Sequence, residues 1–190
     1  MKILQLTYST LLSLAMALMV HAESPSSTSA TQEEPIIVGE VEPVGIVEAG
    51  THFEARIDTG AETCSIHAEN IEAFERDGKK WVRFQLINPT TKEPILLERP
   101  QVRRVKIKHQ EGEFERRMVV KLRAAFGEEI RPTEFTLTDR SLYQYPLLVG
   151  RNLLHGTAIV DVSRKNTLEK PDLWATDTKD NAPKSSGGKN

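Results

Sequence analysis

The feature that most constrains this 190-residue chain is a succession of short β-rich runs with turn signals between them. The runs are Pro35 to Val38, Val44 to Val47, Phe53 to Ile57, Trp81 to Ile87, Val102 to His109, Phe114 to Leu122, Phe135 to Leu137, Leu147 to Val149 and Thr157 to Val162. Several alternate with the period of a strand: in Val102-Arg103-Arg104-Val105-Lys106-Ile107-Lys108 one face is largely apolar and the other basic. Asp77-Gly78 and Glu111-Gly112 have the composition of hairpin turns. Helical signals are sparse, at Ala68 to Glu75 and at Arg151 to His155 just after Gly150. No internal repeat and no heptad pattern is present, so the expected class is all-β. Cys64 is the sole cysteine, so no intrachain disulfide can form and burial must hold the fold. A domain of about 130 ordered residues can do this.

The two ends read differently from the middle. Lys2, the apolar run Leu11 to Val20 and the exit Val20-His21-Ala22 form a secretory leader over 1–22, too short to span a bilayer comfortably. No cysteine follows the run at the cleavage point, so a lipid anchor is not expected. Residues 23–34, rich in Ser, Thr, Pro and Glu, read as a disordered linker, 35–167 as the domain and 168–190 as a polar tail. Trp174 is the aromatic exception in that tail and either docks on the domain or stands exposed. In a bacterium the leader implies a periplasmic or secreted protein with no stable membrane anchor after cleavage. The formal charge of −2 gives no reason to expect a nucleic-acid partner.

Function enters at Ala55-Arg56-Ile57-Asp58-Thr59-Gly60-Ala61-Glu62-Thr63, where a strand-like run ends in Asp-Thr-Gly. Gly60 permits close backbone approach, Thr59 supplies a hydroxyl and Asp58 an ionisable carboxylate on a tight turn. A lone Asp-Thr-Gly is also what an ordinary turn looks like. A second segment adds weight: Tyr145-Pro146-Leu147-Leu148-Val149-Gly150-Arg151-Asn152-Leu153-Leu154, an apolar strand running into Gly-Arg-Asn-Leu-Leu. Peptide hydrolysis without a covalent intermediate needs a base for water and an acid for the leaving nitrogen. Two carboxylates at roughly 3 Å sharing one proton supply both, and aspartic proteases are the standard example. The chain has one Asp-Thr-Gly. Asp161 follows a strand but lacks the Thr-Gly, so two equivalent carboxylates are most simply obtained from a symmetric homodimer with Asp58 of each copy at the axis.

Together the two segments resemble the signatures of the retropepsins, the dimeric aspartic proteases of retroviruses. The resemblance implies an acid-protease-like closed barrel with a short helix after Gly150, a homodimer, and Asp58 as each chain's catalytic group. It implies that Thr59 bonds across the dimer axis. It further implies that Gly150, Arg151 and Asn152 pack behind the turn formed by Thr59, Gly60, Ala61 and Glu62, with Arg151 paired to Glu62. A closer resemblance, over Ile36 to Thr167, is to a bacterial family labelled as ATP-dependent zinc proteases and also regarded as retropepsin-like. It shares segments like Ala55 to Ala68, Arg104 to Lys108, Glu115-Arg116-Arg117 and Leu147 to Arg164. The family's genomic association with glutamate-adding ligases fits an oligo-glutamate substrate.

Neither half of that label has a visible site: there is no His-Glu-x-x-His and no Gly-x-x-x-x-Gly-Lys-Ser/Thr. Cys64 and His67 form a Cys-x-x-His pair beside Asp58 and Glu62, but on a strand the two point to opposite faces. The expectation is no metal and no cofactor, with Cys64 a buried thiol rather than a nucleophile served by His67. Leu97 to Arg117, turning near Gln110-Glu111-Gly112, is the expected flap. It carries Arg99, Arg103, Arg104, Lys106, Lys108, Arg116 and Arg117, either as a solvated face or as a preference for acidic peptides. The reading is an aspartic endopeptidase. Its rivals are a non-catalytic peptide-binding or scaffold module of the same fold, and a zinc-dependent peptidase.

Overall fold

The computed structural model describes residues 34–108, 114–171 and 173. The leader, the linker up to residue 33, Trp174 and the Gln110-Glu111-Gly112 turn lie outside the described residues. In chain order the elements are β1 Ile36–Val38, β2 Val41–Ile46, a 3-10 turn Val47–Ala49, β3 Thr51–Ile57, β4 Cys64–His67, β5 Glu69–Arg76, β6 Lys79–Ile87, β7 Pro94–Lys108, β8 Phe114–Phe126, β9 Glu129–Thr138, β10 Leu147–Val149, α1 Arg151–Leu154 and β11 Ala158–Val160. The described chain is mostly β-sheet with almost no helix, and α1 stands where a helix after Gly150 was expected.

The main sheet runs β2-β3-β10-β4-β9-β8-β7-β6-β5 and bends back on itself where β2 also meets β8. That seam consists of Gly45↔Ala125 and Ile46↔Ala124, against the eight pairs that join β8 to β9. The expected closed barrel is therefore closed unevenly: β2, β3, β10, β4, β9 and β8 form the ring, and β7, β6 and β5 extend from its edge. β1 and β11 pair in parallel as a separate ribbon.

Within Ala68 to Glu75, where composition suggested a helix or turn, the chain from Glu69 onward is strand β5. Asp77 and Gly78 take φ of 51° and 68°, the left-handed pair of a tight hairpin, and set β5 against β6. Cross-strand contacts then override the local preference: Phe74 and Trp81 meet at 6.4 Å with the Arg76 guanidinium over the Trp81 ring. In the core, Phe84, Phe126, Phe135, Ile46, Ile66, Leu122, Leu137 and Leu147 are fully buried. Each such side chain contributes about 1.5–3 kcal/mol by leaving water, which is how a chain with one thiol holds together.

Glu42 is also fully buried. Its Oε1 accepts from Gly39 N, Thr167 N and Thr167 Oγ1, and its Oε2 accepts from Leu168 N at 2.9 Å. One carboxylate thus ties the segment after β1 to the segment after β11. Packing continues beyond Thr167, the expected end of the domain: Leu168 lies against the core, His52 Nε2 donates to Pro171 O, and Leu173 is buried. Apolar Leu168 and Leu173 are what a mostly polar composition concealed.

Candidate active site

Asp58 follows directly on β3. Its N–H donates to Val149 O at 2.9 Å, so β10 fixes the point at which the chain leaves the sheet. Its Oδ1 then accepts from Gly60 N at 2.9 Å and Ala61 N at 3.2 Å, a turn closed by the aspartate's own side chain. The carboxylate is half-buried while Thr59 and Gly60 are exposed beside it. An acid is thereby displayed at a rigid position with one oxygen spent on orientation.

Gly150, Arg151 and Asn152 pass directly behind this turn. A Cβ on Gly150 would stand 2.8 Å from Thr63 C and 3.0 Å from Ala61 O, so only glycine lets the two segments touch. Arg151 N then donates to Ala61 O at 2.9 Å and Asn152 N to Glu62 O at 3.1 Å. Asn152 finishes the brace with its side chain, Oδ1 accepting from Cys64 N and Nδ2 donating to Glu134 O, both at 2.9 Å.

The expected ion pair between Arg151 and Glu62 does not form. Arg151 Nη1 donates instead to Thr59 O at 3.0 Å and Gly60 O at 2.7 Å, and the Glu62 side chain is exposed. The guanidinium reaches across the turn to carbonyls that the tight Asp-Thr-Gly geometry leaves without backbone partners. It braces the same turn through the main chain, and Glu62 contributes its backbone carbonyl rather than its charge.

Cys64 and His67 lie on β4 with their side chains on opposite faces. Cys64 is buried in the core, where its thiol meets Asn152 Oδ1 and Gly150 N, and burial pushes its pKa up to about 12. His67 Nδ1 accepts from Arg140 N at 2.8 Å, which leaves Nε2 to face Glu69. The two therefore share neither a metal nor a proton-transfer geometry. Asp161 closes its own turn, accepting from Ser163 N and Oγ and pairing with Arg164. Ser163 holds its carboxyl below the usual range, as suits a structural cap.

A family model described as retropepsin-like aspartic endopeptidase RimB matches residues 37–171. The chain belongs to the RimB-like family. It is also 40% identical over 124 residues to a probable alpha-L-glutamate ligase of Shewanella pealeana, and 34% identical over 136 residues to one of Parasynechococcus marenigrum. The matches cover 64% and 70% of this chain but only 27% and 29% of those proteins. Among solved structures, a Legionella pneumophila protein of unknown function superposes with a TM-score of 0.60 at 30% identity. That superposition covers 70% of this chain and 98% of the Legionella one.

Within this RimB-like domain the arms of the expected flap are β7 and β8, paired from Gln101↔Val120 to Lys108↔Phe114. Their basic residues are not one solvated face. Arg103 pairs with Glu134 at 2.9 Å and reaches Thr63 Oγ1 at 3.4 Å, next to the Asp58 turn, whereas Arg117 is mostly covered and pairs with Glu115. Arg140, which no motif singles out, is 7% exposed, stacked 4.6 Å from the Tyr143 ring centre, with Nε donating to Tyr145 O. Asp139-Arg140-Ser141 has the composition of a solvated turn, so its burial has no local signal. Burial lowers the Arg140 pKa. Its surroundings include Tyr143, Arg117 and Asp58 within electrostatic reach.

Proposed function

We propose that this chain is an aspartic endopeptidase acting on acidic peptides, with the Asp58 residues of two copies meeting at a two-fold axis. The observation that carries the reading is the braced turn: a half-buried Asp58 whose Oδ1 is held by Gly60 and Ala61, locked from behind by Gly150, Arg151 and Asn152. One such carboxylate can be base or acid at a given moment, not both. Two of them sharing a proton serve water attack and nitrogen protonation within one turnover.

In this mechanism the ionised member takes a proton from water as the water oxygen bonds to the scissile carbonyl carbon, and the protonated member gives its proton to the carbonyl oxygen. Collapse of the tetrahedral intermediate breaks the C–N bond: the acid formed in the first step protonates the nitrogen while the other carboxylate takes a proton from a hydroxyl of the intermediate, which restores the shared proton. In this reading Thr59, exposed beside Asp58, bonds its counterpart across the axis. The names of the ligases that share this domain, together with Arg103, Arg117 and Arg140, support α-linked glutamyl peptides as the substrate class. The apolar run Leu11 to Val20 supports export to the periplasm or medium after cleavage near Ala22. N-terminal sequencing that finds Met1 on exported protein would refute that leader.

A second reading is favoured by the ligase matches, in which the shared segment is little more than a quarter of the protein. There the domain binds glutamyl chains without cutting them. A peptidase assay on α-linked hexaglutamate decides: wild type cleaves and Asp58→Asn does not under the first reading, and neither cleaves under the second. Light scattering on the same samples reports whether the active species is the dimer.

A further inference from the structure

The loop 139–146 joins β9 to β10, and His67 at the end of β4 holds it at both ends. His67 N donates to Pro146 O at 2.7 Å, and Arg140 N donates to His67 Nδ1 at 2.8 Å. Arg140 then organises what lies between: its O accepts from Tyr143 N at 2.9 Å, its Nε donates to Tyr145 O, and its guanidinium lies over the Tyr143 ring. At the tip Leu142 is 98% exposed and Tyr143 61% exposed. The tip is thus left in water, and the shape of the loop depends on polar bonds that converge on Arg140 and His67.

The bond from Arg140 N fixes the protonation state of the ring. A main-chain N–H can only donate, so Nδ1 presents a lone pair and the ring proton sits on Nε2, facing Glu69 Oε1 at 3.3 Å. A second proton can go only to Nδ1, where it meets the Arg140 N–H. The charged groups around the ring pull in both directions. Glu69 of β5 and Asp139 of the loop, whose Oδ1 is 3.5 Å from Nδ1, favour the cation. Ser141 holds the Asp139 carboxyl below its usual range, so Asp139 is ionised when the ring charges. The Arg140 guanidinium opposes the cation. On β8, Arg117 and Glu115 are paired with each other, and Glu115 is reached from Thr138, the register partner of His67.

We propose that His67 is the latch of a pH-gated loop: the neutral ring holds 139–146 closed through Arg140 N, and protonation at Nδ1 exchanges that bond for the Asp139 carboxylate and frees the loop. Nδ1 takes no proton while the loop is closed and takes one when it opens. Linkage then fixes the sign: acid favours the open form, by up to about tenfold in the open-to-closed ratio for each unit of pH. The loop runs into β10, whose Val149 O receives Asp58 N, so the latch acts on the strand that positions the Asp58 turn. It does not depend on the peptidase reading.

The test is NMR on Asp58→Asn protein, in which the Asp58 carboxylate no longer titrates. As the pH is lowered, the Arg140 amide resonance should move with the same midpoint as the His67 imidazole. Hydrogen-exchange protection factors of the Arg140 and Tyr143 amides should fall by about tenfold or more over the same range, while amides along the β8–β9 pairing stay protected. His67→Asn puts an amide oxygen where Nδ1 stands and takes up no proton there, so its loop should stay protected at every pH. His67→Phe removes the acceptor and should leave the loop unprotected at every pH. Asp139→Asn removes the carboxylate that receives the ring proton and should move the transition to lower pH. An Arg140 amide that ignores the titration of the ring, a ring that stays neutral until the protein unfolds, or a His67→Asn loop that opens in acid as wild type does would each overturn the latch. Should His67→Phe not fold, the titration of the unsubstituted loop and of His67→Asn carries the test.

Discussion

Asp58 and Glu42 are both carboxylates held mainly by backbone N–H groups, and they are used in opposite ways. Glu42 is fully buried and both of its oxygens are occupied by Gly39, Thr167 and Leu168. Asp58 is half-buried, and the hydrogen bonds it accepts fall on Oδ1 alone. A carboxylate with both oxygens engaged is a structural tie. One with a single oxygen engaged is oriented and still available for chemistry. The difference lies in how many donors surround the group, not in the group.

Substituting each acid by its amide separates the two roles most sharply. Asp58→Asn keeps an Oδ1 acceptor for Gly60 and Ala61, so folding stability should change by about 0.5 kcal/mol or less, in the range of mild substitutions. Hydrolysis should fall by about a thousandfold or more, because the shared proton is gone. Wild-type activity should follow a bell-shaped pH profile and decline on dilution, since a monomer holds half a site. Full activity from a proven monomer would remove the dyad altogether.

Glu42→Ala should do the reverse. It leaves the Gly39, Thr167 and Leu168 donors without their acceptor in a dry site, at about 3 kcal/mol or more. Urea unfolding should show the loss while the activity of the remaining folded protein is retained. A variant of unchanged midpoint would mean that water replaces the carboxylate and that the tie is not needed.

The contrast also marks what could be read from the chain. Asp58, Gly150 and the strands with clean alternation were legible because motif and period are local. Glu42 was not: in Glu40-Val41-Glu42-Pro43 nothing separates an exposed acid from a buried one, and its partners at Thr167 and Leu168 lie far along the chain. Arg151 was assigned to the right turn but the wrong acceptor, because charge pairing suggests Glu62 whereas the reach of the guanidinium finds the Thr59 and Gly60 carbonyls. β5 was misread because its strand character comes from the Asp77-Gly78 turn and the partner strand β6.

Arg151 tests the catalytic side of the comparison at lower cost. It is exposed, so losing its two bonds to main-chain carbonyls should cost about 1–2 kcal/mol rather than the 3–5 kcal/mol of a broken buried pair. Arg151→Ala should fold, and kcat should fall more than KM rises because the turn that orients Asp58 is loosened. Glu62→Gln should leave stability and activity near wild type, since Glu62 engages the brace through its carbonyl. Equal destabilisation by Glu62→Gln would restore the ion pair.

The smallest effect belongs to Cys64, the third ionisable group at this turn and the one kept neutral. Burial raises its thiol from an ordinary value near 9 to about 12, against hydrogen bonds that favour the thiolate. Below pH 9 the folded and unfolded chains both hold the proton and the group gives no pH slope. Between about 9 and 12 the unfolded chain releases the proton and the folded chain does not, so stability falls as pH rises through that window. Cys64→Ser keeps a small acceptor for Gly150 N and removes the titration, so its stability should decline less steeply than wild type over the same range. Hydrolysis at neutral pH should survive the change with little loss. A Cys64→Ser protein that folds but no longer cleaves would place sulfur in the chemistry and overturn the role proposed for Asp58.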